Sequence, residues 1–260
     1  MSFLSKALSK VGIGAAKVDA VLDNSSVAPG EPLTGVINIT GGKVEQEINK
    51  LDLDVYCNYF VELENDEGET EISERTCCIN SWDINEAFTI GAGEEKQLTF
   101  ELILSPEAPI SVGRSATWLK TNLDIDFALD KSDKDYINVV PNELQQAVLE
   151  AIESLGFSLD EAECEGYDSA RGSLPFVQEF EFKPRGGDFR GRLEELEMVM
   201  FSHSSDEITL ALEIDRKARG ISGFFAKAFG MDETKTKVVV NHDNIDDFQD
   251  TLYDLVDDNC

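Results

Sequence analysis

No stretch of this 260-residue chain approaches the roughly 18–20 consecutive apolar residues that cross a bilayer. The opening M-S-F-L-S-K-A-L-S-K-V-G-I-G has neither the apolar core nor the A-x-A-like site of a secretory signal, so export and stable membrane insertion are not expected. Histidine is nearly missing. His203 and His242 have no further His or Cys at ligand spacing, which removes the usual means of zinc binding and of triad hydrolysis. Cysteine is sparse and odd in number: Cys57, Cys77, Cys78, Cys164 and Cys260 include no C-x-x-C pair. Adjacent Cys77 and Cys78 would point to opposite faces of a strand, and free thiols in a reducing cytoplasm are expected. Phosphate loops are lacking too. Gly41-Gly42-Lys43 has no leading Gly and no trailing Ser or Thr, while G-I-G-A-A-K at 12–17 has no third Gly and precedes a strand. There is no G-x-S-x-G elbow. The series Asp130, Asp133, Asp135 misses the Gly and the Glu of a calcium loop. No cofactor and no metal are expected.

Bases are the scarcest charged class. Against 52 Asp plus Glu stand 22 Lys plus Arg, a net charge of −30. Both halves share the excess, with 25 acids and 11 bases in residues 1–140 and 27 and 11 in 141–260. Such a surface repels phosphate backbones, which require clustered Lys and Arg, so nucleic acid is not an expected partner. Solubility accounts for the charge. With 42% apolar residues and 15 Phe the chain still has the means to build real cores, and its length allows two ordinary domains. Residues 1–18 run against the trend: Lys6, Lys10 and Lys17 and no acid. There Phe3, Leu4, Ala7, Leu8 and Val11 share one helical face, so a short helix over residues 2–11 is expected, docked on its own protein or serving as a peripheral anchor.

What is abundant is alternation. From Trp118 to Asp130 the odd positions Leu119, Thr121, Leu123, Ile125, Phe127 and Leu129 oppose polar even ones, which specifies a half-buried strand. A wet face argues for an antiparallel sandwich, because parallel sheets are covered on both sides. Similar runs precede it: A-K-V-D-A-V-L, Thr34 to Thr40, Leu51 to Leu63 at odd positions, Glu71 to Asn80, and Leu98 to Leu104. Turn residues separate them, at Pro29 to Pro32, Gly41-Gly42, N-D-E-G at 65–68 and Gly91 to Gly93. The expectation is a β-sandwich domain over residues 1–140.

At Pro141 the period changes. Asn142 and Gln145 form a capping box for a helix carrying Leu144, Ala147, Val148, Ala151, Ile152 and Leu155, with Gly156 at its end. Strands follow around Phe176 to Phe182, Leu193 to Phe201, Ile208 to Ile214 and Lys235 to Val240, and a last helix carries Ile245, Phe248, Leu252, Leu255 and Val256. Asp243, Asp246 and Asp247 suit the start of that helix. Residues 141–260 read as a smaller α+β domain. Within it Lys183, Arg185, Arg190 and Arg192 are either a dock for acidic partners or internal partners of Glu194, Glu195, Glu213 or Asp215. The candidate partner-binding residues are Arg216, Lys217, Arg219, Phe224 and Phe225, since three bases in four positions with two aromatics stand out in so acidic a chain. If the alternation from Ile208 runs on, Arg216 falls on the buried face as an ion-pair partner.

Several longer blocks resemble one family. G-I-G-A-A-K-V-D at 12–19, G-G-K-V-E-Q at 41–46, W-L-K-T-N-L-D-I at 118–125 and E-S-L-G-F at 153–157 are similar to the sporulation-control SpoOM proteins. So are L-P-F-V-Q-E-F-E-F at 174–182, R-L-E-E-L-E at 192–197, D-R-K-A-R-G at 215–220 and M-D-E-T at 231–234. The resemblance implies a mainly β fold, with an arrestin-like sandwich followed by a second domain. It implies a non-enzymatic regulator working through protein partners, in sporulation or more broadly in stress or cell-cycle control. It supplies no catalytic residues, and the phosphate-sensing charges of animal arrestins have no counterparts here. A homodimer through strand edges is compatible with it. Two rivals stand beside it: an enzyme built from scattered carboxylates with a divalent metal, and a peripheral membrane protein using residues 1–18.

Overall fold

A computed structural model describes residues 14–64, 68–83, 87–126, 131–166, 174–202, 204, 206–215 and 236–260. The expected helix at 2–11 lies outside them.

The first half pairs Lys17–Leu22 (β1), Pro32–Thr40 (β3) and Glu95–Ile103 (β7) into an antiparallel three-stranded sheet. Facing it is a longer sheet built on Gln46–Glu64 (β4), with Thr70–Asp83 (β5), Phe88–Ile90 (β6), Thr117–Ile125 (β8), Lys131–Val139 (β9) and, parallel to β9, the short Ser26–Val27 (β2). Leu33, Ile37 and Ile39 of β3 and Phe100 and Leu102 of β7 meet Leu51, Leu53 and Val55 of β4 and Leu119 and Leu123 of β8 in one buried core. Each fully buried Leu or Ile contributes about 1.5–3 kcal/mol by leaving water.

The alternation behaves as expected at its centre and departs at its ends. β8 stops at Ile125, with Asp126 in a turn, and residues 127–130 lie outside the described set. K-S-D-K-D-Y-I-N-V then returns as β9, so β8 sits inside its sheet between β4 and β9. Odd burial along β4 also fails beyond Cys57: Asn58 and Phe60 are buried, whereas Leu63 is exposed. Past the sandwich this strand has different neighbours on its two faces. Asp133 and Asp135 of β9 turn towards β1, where the backbone N–H of Ala20 donates to Asp133 Oδ2. Burial, then the neighbouring Asp133, pushes the Asp135 carboxyl up to about 6.

The second half opens with the helix Glu143–Ser154 (α1), and its capping box is complete: the Gln145 N–H donates to Asn142 Oδ1 at 2.9 Å and the Asn142 N–H to Gln145 Oε1 at 2.9 Å. Gly156 follows at φ +90°. A Cβ there would lie 2.5 Å from the Gly186 backbone, so both conformation and space require glycine.

Next comes Phe157–Gly166 (β10), an element the alternation did not reveal, in a hairpin with Phe176–Pro184 (β11). Glu195–Ser202 (β12), Glu207–Asp215 (β13) and Thr236–Asn241 (β14) extend it in order, and a 3-10 turn at Ile245–Asp247 leads into the helix Phe248–Asn259 (α2). Asp247 caps α2 without a side-chain hydrogen bond. α1 and α2 cover one face of these strands, burying Phe180, Phe182, Leu196, Met198 and Leu210 in a second core. The two halves share one sheet. β10 joins β4 through a single parallel pair, Glu165 with Phe60. All five cysteines are free thiols, and burial drives the Cys164 thiol up to about 12.

Candidate functional site

Polar side chains concentrate where the halves meet. The link between β7 and β8 is laid against β10 and β11, and buried Gln178 grips it from below. Gln178 Oε1 accepts from the Ile110 N–H at 2.8 Å, while its Nε2 donates to the Ile110 carbonyl at 2.7 Å and to Ser115 Oγ at 3.2 Å. From β4, Asn58 Oδ1 accepts from the Ala116 N–H at 2.7 Å, and Nδ2 donates to the Arg114 carbonyl and to Glu74 Oε1, each at 3.0 Å. Gly113 has φ +60°, and a Cβ on it would fall 1.9 Å from the Ala162 carbonyl oxygen. Only glycine lets the link lie this close to β10.

Arg114 closes the seam. Its guanidinium lies 3.8 Å from the Phe60 ring centroid and donates to Glu163 Oε2 at 2.9 Å. Burial raises the Glu163 carboxyl above its ordinary value despite that partner, so desolvation outweighs the ion pair here. Glu165, one pair further on, is pushed up to about 7 by burial first and then by Glu163, Glu62, Glu181 and Glu161. From there a row of carboxylates crosses the sheet, with Glu161, Glu181, Glu197 and Glu213 directly opposite one another on four adjoining strands. Like charges so placed repel.

On the outer face of the sandwich, Tyr56, Trp118 and Tyr136 are direct cross-strand neighbours on β4, β8 and β9. Tyr56 and Trp118 stack with centroids 6.1 Å apart, and Tyr136 meets Trp118 edge-on at 6.3 Å. Lys134 Nζ sits 3.8 Å over the Trp118 ring. Trp118 is 9% exposed, but Tyr136 is 64% exposed and caps the ladder towards solvent.

The partner-binding candidates Arg216, Lys217, Arg219, Phe224 and Phe225 all lie outside the described residues, and β13 ends just before them at Asp215. Three of the other four bases are paired internally. Lys183 pairs with Asp160 at 2.9 Å and with Glu195 at 3.9 Å, Arg185 pairs with Asp160, and Arg192 with Asp257 at 2.8 Å. Glu195 was an expected partner; Asp160 and Asp257 were not. Among the described residues no three His, Cys, Asp or Glu side chains come together to hold a metal, and no helix is long and apolar enough to cross a membrane. Sequence reading missed Asn58, Arg114, Glu163 and Gln178. Gln178 alone left a trace, as a polar residue on the apolar side of F-V-Q-E-F-E-F.

Two stacked sheets continued through a polar seam into a helix-backed sheet define a mainly β, arrestin-like protein with a smaller α+β part. The chain belongs to the SpoOM family: the family model described as SpoOM protein matches residues 4–218. It is 37% identical over 260 residues to the sporulation-control protein spo0M of Bacillus subtilis (strain 168), covering 99% of this chain and 98% of that protein. The crystal structure of Spo0M, sporulation control protein, from Bacillus subtilis superposes with a TM-score of 0.86 at 36% identity, over 95% of this chain and all of that one.

Proposed function

We propose that this chain is a cytoplasmic, non-enzymatic regulator of sporulation, or of stress or cell-cycle control, that works by holding protein partners. Family membership supports the regulatory part. The observation that carries the binding part is the Tyr136 ring, 64% exposed beside Trp118 and Lys134. Aromatic side chains flanked by cations supply anchors at protein interfaces, and an exposed ring gains most by being covered. Tyr136→Ala should fold normally, because a largely exposed side chain carries little packing, with stability changed by about 0.5 kcal/mol or less. In a Bacillus subtilis strain lacking spo0M, wild-type chain should restore sporulation control and the Tyr136→Ala chain should not. Failure of the wild type would remove the regulatory reading, and full activity of the variant would move the contact elsewhere.

The patch of Arg216, Lys217, Arg219, Phe224 and Phe225 stays within the proposal as a second contact, resting on its sequence. Lys217→Glu with Arg219→Glu in the same strain tests it, and unchanged activity removes it.

The division at residue 140 also belongs to the proposal. It is supported by two large cores that divide between β9 and α1; among the described residues Ile110 and Val112 pack in the second, and a smaller cluster joins Cys57 to Cys164 and Phe176 across the boundary. Limited proteolysis should therefore leave a stable N-terminal fragment of about 140 residues, within a few residues of boundary error. Stable fragments cut only inside 95–130 would contradict it.

A further inference from the structure

One edge of the long sheet stands without a neighbour. Among the described residues β5 pairs with β4 alone, and at 14 residues it is the longest edge, against nine for β7, six for β14 and two for β2. Which of its backbone groups face outwards follows from β4. The Asn58 N–H donates to the Ala116 carbonyl at 3.1 Å, on the β8 side, so the backbone of Cys57 faces β5, where it is paired with Cys77. Backbone groups alternate in direction along a strand. Ser73, Arg75 and Cys77 of β5 therefore bond inwards, and Ile72, Glu74 and Thr76 turn their N–H and C=O groups outwards. From Thr70 to Cys78 this open row is about 27 Å long, at roughly 3.4 Å per residue. Beyond Cys78 the strand is tied down: the Ser105 N–H donates to Asn80 Oδ1, and Ile79 and Trp82 pack against the sandwich core.

Exposed edges recruit strands, and proteins blunt them with proline, lysine, bulges or short length. Residues 70–78 have none of these. They contain no Pro and no Lys, and the register shift of the β4–β5 pair lies past them, at Val55/Tyr56. Ile72 is 51% exposed. The surroundings are acidic: Glu71 and Glu74 on the strand, Glu69 just before it, and Glu62 and Glu64 on β4 are all exposed, and Arg75 is the one base on this edge.

We infer that the outer edge of β5 takes up an extended segment of a protein partner as an added strand. That segment is aliphatic where it meets Ile72 and carries Lys or Arg where it meets Glu71 and Glu74. In such additions main-chain bonds supply the affinity, and side chains at alternate positions choose the partner. A second copy of this chain is disfavoured as the occupant, since two chains of net charge −30 repel. The contact rests on the partner-binding reading above and lies on a separate surface, because β4 and β8 stand between β5 and Tyr136 of β9.

A labelled peptide, T-T-V-T-K-T-V-K-T, tests this by fluorescence anisotropy with the full-length protein. In antiparallel register its lysines fall opposite Glu74 and Glu71 and its second valine opposite Ile72. At about 150 mM salt, where unspecific attraction is screened, it should bind the wild type saturably. N-methylation at its third, fifth and seventh residues, whose amides face β5, should weaken binding at least about tenfold, and so should glutamate in place of both lysines. Ile72→Pro/Thr76→Pro should do the same, since it deletes two outward N–H groups and spares the bonds to β4. Ile72→Ala/Thr76→Ala keeps those groups and should cost less. If the proline variant melts low, the N-methylated peptide reads the same contact on unaltered protein. A wild type that does not bind, a well-folded proline variant that binds as well as wild type, or equal binding of either altered peptide overturns the proposal. So does a wild-type dimer in sedimentation that Ile72→Pro/Thr76→Pro dissolves, because the edge would then serve a second copy. The Tyr136 contact is read separately, by the complemented strain.

Discussion

Glu165→Gln should raise the melting temperature at pH 8 by roughly 2–8 °C and leave it unchanged at pH 4. Glu165 stands at the one pair that joins the sheets of the two halves, and burial with four neighbouring glutamates lifts its carboxyl from 4.5 to about 7. A folded-state value above the unfolded one means that the folded protein holds the proton more tightly. That stabilisation is complete below about 4.5 and is lost as pH rises through about 7. At pH 8 the wild type therefore carries an ionised Glu165 at a cost that glutamine does not have. At 1.36 kcal/mol per unit the full shift is about 3.4 kcal/mol, and screening of this incompletely buried group reduces it to about 1–2. Each kcal/mol moves the midpoint of a chain this size by about 2–4 °C. Asp135, lifted to about 6 in the β1–β9 seam, acts in the same direction, so the wild type itself should melt higher at pH 5.5 than at pH 8. Asp83 and Asp160, held low by their lysines, act oppositely, but their contribution is lost only as pH falls below the carboxylate range. Equal midpoints for Glu165→Gln and wild type at pH 8 in a calorimeter would mean that Glu165 is solvated.

The strands that pair without interruption were legible, and the elements that change parity were not. β3 and β7 bury alternate residues from end to end, and β13 sets Ile208, Leu210 and Leu212 inward in the same way, so a period of two finds them. β10 buries Phe157, then Ala162 and Cys164, because the register shifts between Leu159 and Glu161. That bulge leaves Asp160 free to bind Lys183 and Arg185, and it breaks the alternation that would have revealed the strand. β4 conceals a shift of the same kind between Ile48 and Lys50, and beyond Cys57 it buries both faces. α1 was readable to the residue, because its capping box is local and both partners lie within four positions.

The seam was unreadable for the opposite reason. Gln178 and Ile110 are 68 positions apart, and Asn58 lies 56 from Arg114. A glutamine within a phenylalanine-rich strand and a Gly-Arg-Ser loop have no pattern to connect them before the fold does so. The blocks that place the chain in its family fare differently: they are local strings, and W-L-K-T-N-L-D-I carries the core positions Leu119, Leu123 and Ile125 of β8 and the Trp118 of the aromatic ladder.

Gln178→Leu should lower the melting temperature by roughly 4–16 °C, the largest single effect expected at the seam. Leucine fits a mostly apolar strand, so volume is not the issue. The cost is the Ile110 backbone, 5% exposed, whose N–H loses its partner and whose carbonyl loses the Gln178 donor and keeps only the Val112 N–H at 2.8 Å. The orphaned N–H costs about 1–3 kcal/mol and the carbonyl's lost bond about 0.5–1.5, about 2–4 together, and at about 2–4 °C per kcal/mol this sets the range. Arg114→Met removes the more conspicuous interaction, the ion pair with Glu163, yet should cost about 1 kcal/mol or less. The Arg114 side chain is 49% exposed, exposed pairs contribute little, and Glu163, raised by burial, can take up a proton once its partner is gone. Methionine also keeps an apolar stem over Phe60. The ranking is what the physics fixes: a buried amide with two backbone partners outweighs a half-exposed charge pair. Urea titrations of both variants at pH 7 measure it, and an Arg114→Met loss exceeding that of Gln178→Leu would show that charge, not backbone satisfaction, holds the two halves together.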